Sequence, residues 1–110
     1  MNFYIGNSIN EIDISDDNIE FSDELIDFIY KLSIQTSYHM DELYKINPYD
    51  DIEISNMDLP RIIEISNYIL SEALLESYEK QDEGNRMLTD LINIAQKALK
   101  KGLGLVSIGD

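Results

Sequence analysis

At 110 residues the chain is about one small domain, able to bury roughly two thirds of the surface its unfolded form exposes, so a single core is expected. Its formal charge of −14 repels phosphate backbones and anionic headgroups, which argues against nucleic acid or membrane as a partner. Without cysteine there is no disulfide framework or thiolate metal site, and no apolar run approaches the ~20 residues that span a bilayer.

The opening residues lack the basic flank and long apolar run of a signal peptide, so the chain reads as cytoplasmic. Phe3-Tyr4-Ile5, closed by Gly6, predicts a short strand, because aromatic and β-branched residues fit a pleated surface. An acidic, turn-rich stretch follows, and Ser22-Asp23-Glu24 then opens a helix. Ser22 serves as N-cap, the two acids suit the positive end of the helix dipole, and Phe21 with Ile26 has hydrophobic-staple spacing. Leu25, Phe28, Ile29 and Leu32 form its buried stripe.

A second, shorter helix is expected over about residues 38–46, with Met40, Leu43 and Tyr44 inward, until Asn47-Pro48 ends it. The stretch over residues 49–56 reads as a connection. Asp58 caps a third helix that has Pro60 in its first turn and runs to about Tyr78. Its wide apolar arc (Leu59, Ile62, Ile63, Ile69, Leu70, Ala73, Leu74) implies contact with more than one neighbour. A fourth helix over about residues 83–101 buries Leu88, Leu91, Ile92, Ala95 and Leu99. Lys97, Lys100 and Lys101 complement its negative end, and Gly102 supplies a left-handed stop. Residues 103–108 read as a closing strand. The expected fold is therefore mainly α: four helices in one domain over residues 1–110, with a short strand at each end. Strands this short require partners, so residues 3–5 should pair with residues 105–108.

Charge is unevenly placed. Residues 1–53 carry thirteen acids against Lys31 and Lys45, whereas residues 54–110 carry nine acids against six bases. Eight of the acids fall within the first thirty residues, where no lysine or arginine occurs and where apolar anchors rule out a disordered tail. Such a surface attracts and orients a basic protein.

Sites of chemistry are sparse. Residues 13–24 match the ligand positions 1, 3, 5 and 12 of an EF-hand loop at Asp13, Ser15, Asp17 and Glu24, although position 8 is Glu20 and no amphipathic helix leads in. A solvated acidic loop is the plainer reading, and no metal or cofactor is expected. His39 is the sole histidine, which excludes a histidine-rich metal site and obliges any Ser-His-Asp triad to run through it; a surface or half-buried position is the plainer reading. Gly102-Leu103-Gly104 follows a helix and precedes a strand, the reverse of the dinucleotide-binding order. No enzymatic activity is expected.

Asn47-Pro48-Tyr49-Asp50-Asp51, then Leu59-Pro60-Arg61-Ile62-Ile63-Glu64, and the ending Ser107-Ile108-Gly109-Asp110 resemble motifs of a group of small bacterial cytoplasmic proteins. Members carry an Asp-Pro-Tyr-Gly-Asp-like turn, an amphipathic helix holding an acidic residue, and an aliphatic strand closing on Ile-Gly-Asp. The resemblance covers about the last two thirds of the chain, which has Asn47 and Asp50 where the turn more often shows Asp and Gly. Some members look like immunity proteins that neutralise a toxin domain encoded beside them, and the resemblance implies that role.

Charge and resemblance together lead to the expectation of an immunity-type protein that occludes a basic toxin domain, a nuclease. The expected contact residues are Asp16, Asp17, Glu20, Asp23, Glu24 and Asp27, with Asp50 and Asp51 as a second patch and Tyr49 as an anchor. Two other classes compete with it. One is a calcium-dependent or other small regulatory module using Asp13, Asp17 and Glu24. The other is a self-associating structural protein, a homodimer through the arc of the third helix. A purely solubilising role for the acids is the plainer alternative.

Overall fold

Strands β1 (Asn2–Ile5) and β4 (Leu105–Ile108) pair antiparallel from Asn2 opposite Ile108 to Ile5 opposite Leu105, so the chain ends hold one another as expected. The structure, a computed structural model, describes residues 1–109; Asp110, the last residue of the Ile-Gly-Asp ending, lies outside them.

The mainly α expectation is corrected by two further strands. β2 (Asn18–Glu20) joins β1, and β3 (Ile52–Ile54) joins β4, giving a four-stranded antiparallel sheet in the order β2-β1-β4-β3. Both sit where the sequence reads as acidic loop or connection. Each is three residues long, too short for alternation to register, and each pairs only because the central strands offer a template. As edge strands they place Glu20 and Glu53 in solvent, which blunts edge-to-edge association.

Four helices among the described residues, α1 (Asp23–Ile34), α2 (Asp41–Tyr44), α3 (Leu59–Ser71) and α4 (Gln81–Lys100), cover the sheet face that carries Phe3, Ile54 and Leu105. Phe3 meets Phe21 edge to face at 5.9 Å, while Leu25 and Ile29 of α1, Ile62, Ile65 and Ile69 of α3, and Leu88 and Leu91 of α4 complete one core. The Ser22 cap is present, its hydroxyl accepting from the Leu25 N–H at 3.2 Å. The arc of α3 is spent on α4 and α2 within the chain.

Helix boundaries differ from expectation in α2 and α3. α2 is a single turn: Arg61 donates to the His39 carbonyl and to the Tyr38 hydroxyl at 3.0 Å, and Tyr38 stacks on Tyr68 at 3.8 Å, so residues 38–40 are held outside a helix. α3 starts where expected, with Asp58 at the N-cap position and Pro60 in the first turn, but Asp58 makes no side-chain cap bond; a 3₁₀ turn (Asn56–Asp58) leads into the helix and is capped by Ser55, which accepts from Met57 N–H.

Helix α3 ends at Ser71, well short of Tyr78. Ala73 takes the left-handed conformation (φ 51°), Ala73 N–H donates to Leu70 O, and Leu74 N–H donates to Ile69 O, which together make a Schellman stop without glycine. The chain then turns Leu75 into the core, where its Cδ1 would lie 2.8 Å from any Cβ at position 84, so Gly84 lets residues 75–78 rest on α4. α4 ends in the same motif with Gly102 at φ 69°.

The other sheet face is covered too. Tyr4 and Val106 point away from the helices yet are almost fully buried. After β1 the chain reaches β3, where Ile9 N–H donates to Glu53 Oε2 at 2.9 Å, and must cross back over the sheet to enter β2 at the opposite edge. The start of the acidic segment is thus tied to the side chain of Glu53, which points to that face, while its end at Asp16 and Asp17 lies beside α4.

Candidate functional site

On α1, Asp23, Asp27 and Tyr30 fall at i, i+4 and i+7 and so share one face, with Glu24 beside them. That face stands opposite Tyr44 of α2 and the Pro48-Tyr49 turn. Together with Ile26 these residues line an open cleft of about 580 Å³. Tyr30 and Tyr44 meet edge to face at 5.2 Å, and Tyr44 donates to Asp41 Oδ1 at 3.1 Å. Tyr49 is 63% exposed and closes the far side, its hydroxyl donating to Asp23 Oδ2 at 2.8 Å.

The turn that carries Tyr49 is built by its own side chains. Asn47 Oδ1 accepts from Tyr49 N–H at 2.9 Å, Asn47 Nδ2 donates to Asp50 Oδ2 at 3.0 Å, and Pro48 presets the first corner.

Electrostatically the cleft is an anionic rim on aromatic walls. The Tyr49 hydroxyl lowers the pKa of the Asp23 carboxyl, keeping it ionised. Partial burial raises the pKa of the Tyr44 phenol, and donation to Asp41 raises it further. Glu24 pairs with Lys80 at 3.4 Å and Asp27 with Lys31 at 2.9 Å, but all four side chains are more than half exposed, so these pairs are weak and exchangeable.

Of the expected contact residues, Asp23, Glu24, Asp27 and Tyr49 come together here. Asp16 and Asp17 do not: they line a different groove of about 870 Å³ against α4, which also presents Asp90, Lys97 and Lys101. Glu20 is exposed on edge strand β2. Asp50 is engaged by Asn47, and Asp51 Oδ1 accepts from Gly109 N–H at 3.0 Å. Sequence reasoning missed Tyr30, Tyr44 and Pro48 as parts of a site. The helical spacing from Asp23 was the available signal for Tyr30; none existed for Tyr44.

The stretch matching an EF-hand loop is divided by β2. Asp13 Oδ1 accepts from the Ser15 N–H and hydroxyl, which lower its pKa, and Asp16 Oδ2 accepts from Asp13 N–H. Glu24 lies in the first turn of α1, bound to Lys80. Among the described residues no group of three such side chains is placed to hold a metal ion, and no helix is long and apolar enough to cross a membrane. His39 is exposed.

No family model, curated protein or solved structure matches the chain.

Proposed function

We propose that this chain is a cytoplasmic, non-enzymatic binding protein of the immunity type, which docks on a basic toxin domain, a nuclease, and occludes it. The observation that carries the reading is the convergence of Asp23, Glu24, Asp27 and Tyr49 on one open cleft with two further tyrosines. Such a cleft suits a lysine or arginine of the partner: aromatic faces attract the cation and cover its apolar stem, while carboxylates accept its hydrogen bonds. A nuclease groove supplies such side chains, because it must neutralise phosphates. The weak pairs with Lys31 and Lys80 keep the rim hydrated and are exchanged for the partner's cations.

The test is co-expression with the toxin domain encoded in a neighbouring reading frame. Reversing Asp23, Glu24 and Asp27 together to lysine should cut the association rate at least about tenfold and abolish protection, since it adds repulsion as well as removing attraction. The fold should survive, because none of these three side chains is buried. Association of the parent should slow steeply with salt. Reversing Asp16 and Asp17 at the other groove should cost much less. Equal losses from the two reversals would reduce the cleft to one part of a general field, and a folded triple variant that still protects would refute the reading.

A further inference from the structure

Beyond the β3–β4 ladder the antiparallel register continues. Ile52 faces Ser107, so Asp50 faces Gly109. There the backbone is in contact: a Cβ at position 109 would lie 2.5 Å from the Tyr49 carbonyl carbon, 2.6 Å from Asp50 N and 2.7 Å from Asp50 O. Only a residue without a side chain can lie flat on the Tyr49–Asp50 peptide in this way. Its N–H is then received by Asp51 at 3.0 Å. The turn is gripped from the other end by Asn47, whose Oδ1 accepts from the Tyr49 N–H and whose Nδ2 donates to the Asp50 carboxylate. The turn is therefore held on two sides, and its tyrosine projects toward α1, where the hydroxyl meets Asp23.

We propose that Gly109 and Asp51 are positioning residues for the tyrosine–carboxylate cleft: the chain leaving β4 clamps the turn and so fixes Tyr49 as the wall facing Asp23. The clamp rests on the cleft reading for its purpose, but its geometry is testable without a partner. Asp51 thereby moves from expected contact residue to support. A surface tyrosine on a free turn would lose side-chain and loop entropy on docking, whereas a clamped one has already lost it, which raises affinity by preorganisation.

The experiment is an NMR titration of the Asp23 carboxyl in the parent, Tyr49→Phe, Gly109→Ala, Asp51→Ala and Asp51→Asn. Asp23 also accepts from the Glu24 N–H, faces the Met1 amino group and shares the cleft with the carboxylates of Glu24 and Asp27, none of which changes across the series. Tyr49→Phe should raise the pKa of Asp23, and Gly109→Ala and Asp51→Ala should raise it in the same direction. Asp51→Asn should keep the parent value, because its amide oxygen still accepts from Gly109 N–H. The two Asp51 variants remove the same charge, so any difference between them reports the acceptor alone. Should Gly109→Ala fail to fold, the Asp51 pair decides. Folded Asp51→Ala titrating like Asp51→Asn would overturn the clamp, as would Tyr49→Phe leaving Asp23 unmoved.

A second arm measures binding of a hexa-arginine peptide at low salt. Asp51→Ala should bind about fivefold more weakly than Asp51→Asn, as expected for one lost positioning hydrogen bond. Equal affinities would overturn the clamp's role in the cleft. A peptide that binds the Asp23, Glu24 and Asp27 reversal as well as the parent, or binds neither, refutes the docking reading instead, and the titration still judges the clamp.

Discussion

Replacing Ala73 by glycine should stabilise the protein, although it removes a methyl group and touches no partner. Ala73 is exposed and left-handed at φ 51°, a conformation that costs an L-residue roughly 1–2 kcal/mol because its Cβ crowds the following carbonyl. Glycine relieves that cost but adds about 0.4–1 kcal/mol of unfolded-chain entropy, leaving a net gain of about 0.5–1 kcal/mol. With about 2.1 cal/mol/K of unfolding entropy per residue over 110 residues, this corresponds to a Tm higher by about 2–4 °C. Gly102→Ala provides the converse. It occupies the same Schellman position at φ 69°, and an added Cβ would meet nothing within 4 Å, so its effect is purely conformational and should lower Tm by a similar amount. The two positions lie at opposite ends of the α3–α4 pair, so the double variant should return close to the parent Tm. Reversible thermal unfolding followed by circular dichroism measures all three. Destabilisation by Ala73→Gly would refute the account of how α3 ends, and an unchanged Gly102→Ala would refute the size assigned to the left-handed cost.

Arg61 ties residues 38–42 to α3 by donating to Tyr38 and the His39 carbonyl and pairing with Glu42 at 3.7 Å, while lying 4.9 Å over the Tyr38 ring and held by Glu64 on its own helix. Arg61→Ala should cost about 2 kcal/mol in urea unfolding, and Arg61→Lys should recover little, because an ammonium cannot reproduce the planar fork; full rescue by lysine would show that only the charge mattered. Tyr49→Phe should produce a pH-dependent loss. Asp23 has a depressed pKa in the folded state, so its contribution is fully present above the unfolded value of 3.8 and disappears as the pH falls through the folded value. The Tm gap between parent and Tyr49→Phe should accordingly be constant near neutrality and close below pH ~4; a gap unchanged by acid would mean the tyrosine acts through packing.

The parts of the fold legible in the sequence are those where a local pattern and the tertiary structure ask for the same thing. Ser22 caps α1, Phe21 and Ile26 flank it as a staple, Gly102 stops α4, and two apolar ends with strand composition find each other. Failures occur where tertiary contact overrides local preference. Nothing in Ser71-Glu72-Ala73 announces a helix stop, since alanine is the best helix former; α3 ends because Leu75 must enter the core. Asn18-Ile19-Glu20 has poor strand composition and becomes a strand because β1 presents a free edge.

The candidate site divides along the same line. Asp23, Asp27 and Tyr30 share a face by helical periodicity alone, which any reading of α1 can recover. Tyr49 reaches Asp23 because a residue near the end of the sequence meets one near its middle: Gly109 lies on the Tyr49–Asp50 peptide, 60 positions from Tyr49 along the chain. An Asn-Pro-Tyr turn and a closing Ile-Gly look like separate punctuation until β3 and β4 bring them into register. What selects glycine at position 109 is then the peptide beneath it rather than any turn of its own, and a substitution there should be felt first at a tyrosine hydroxyl on the surface.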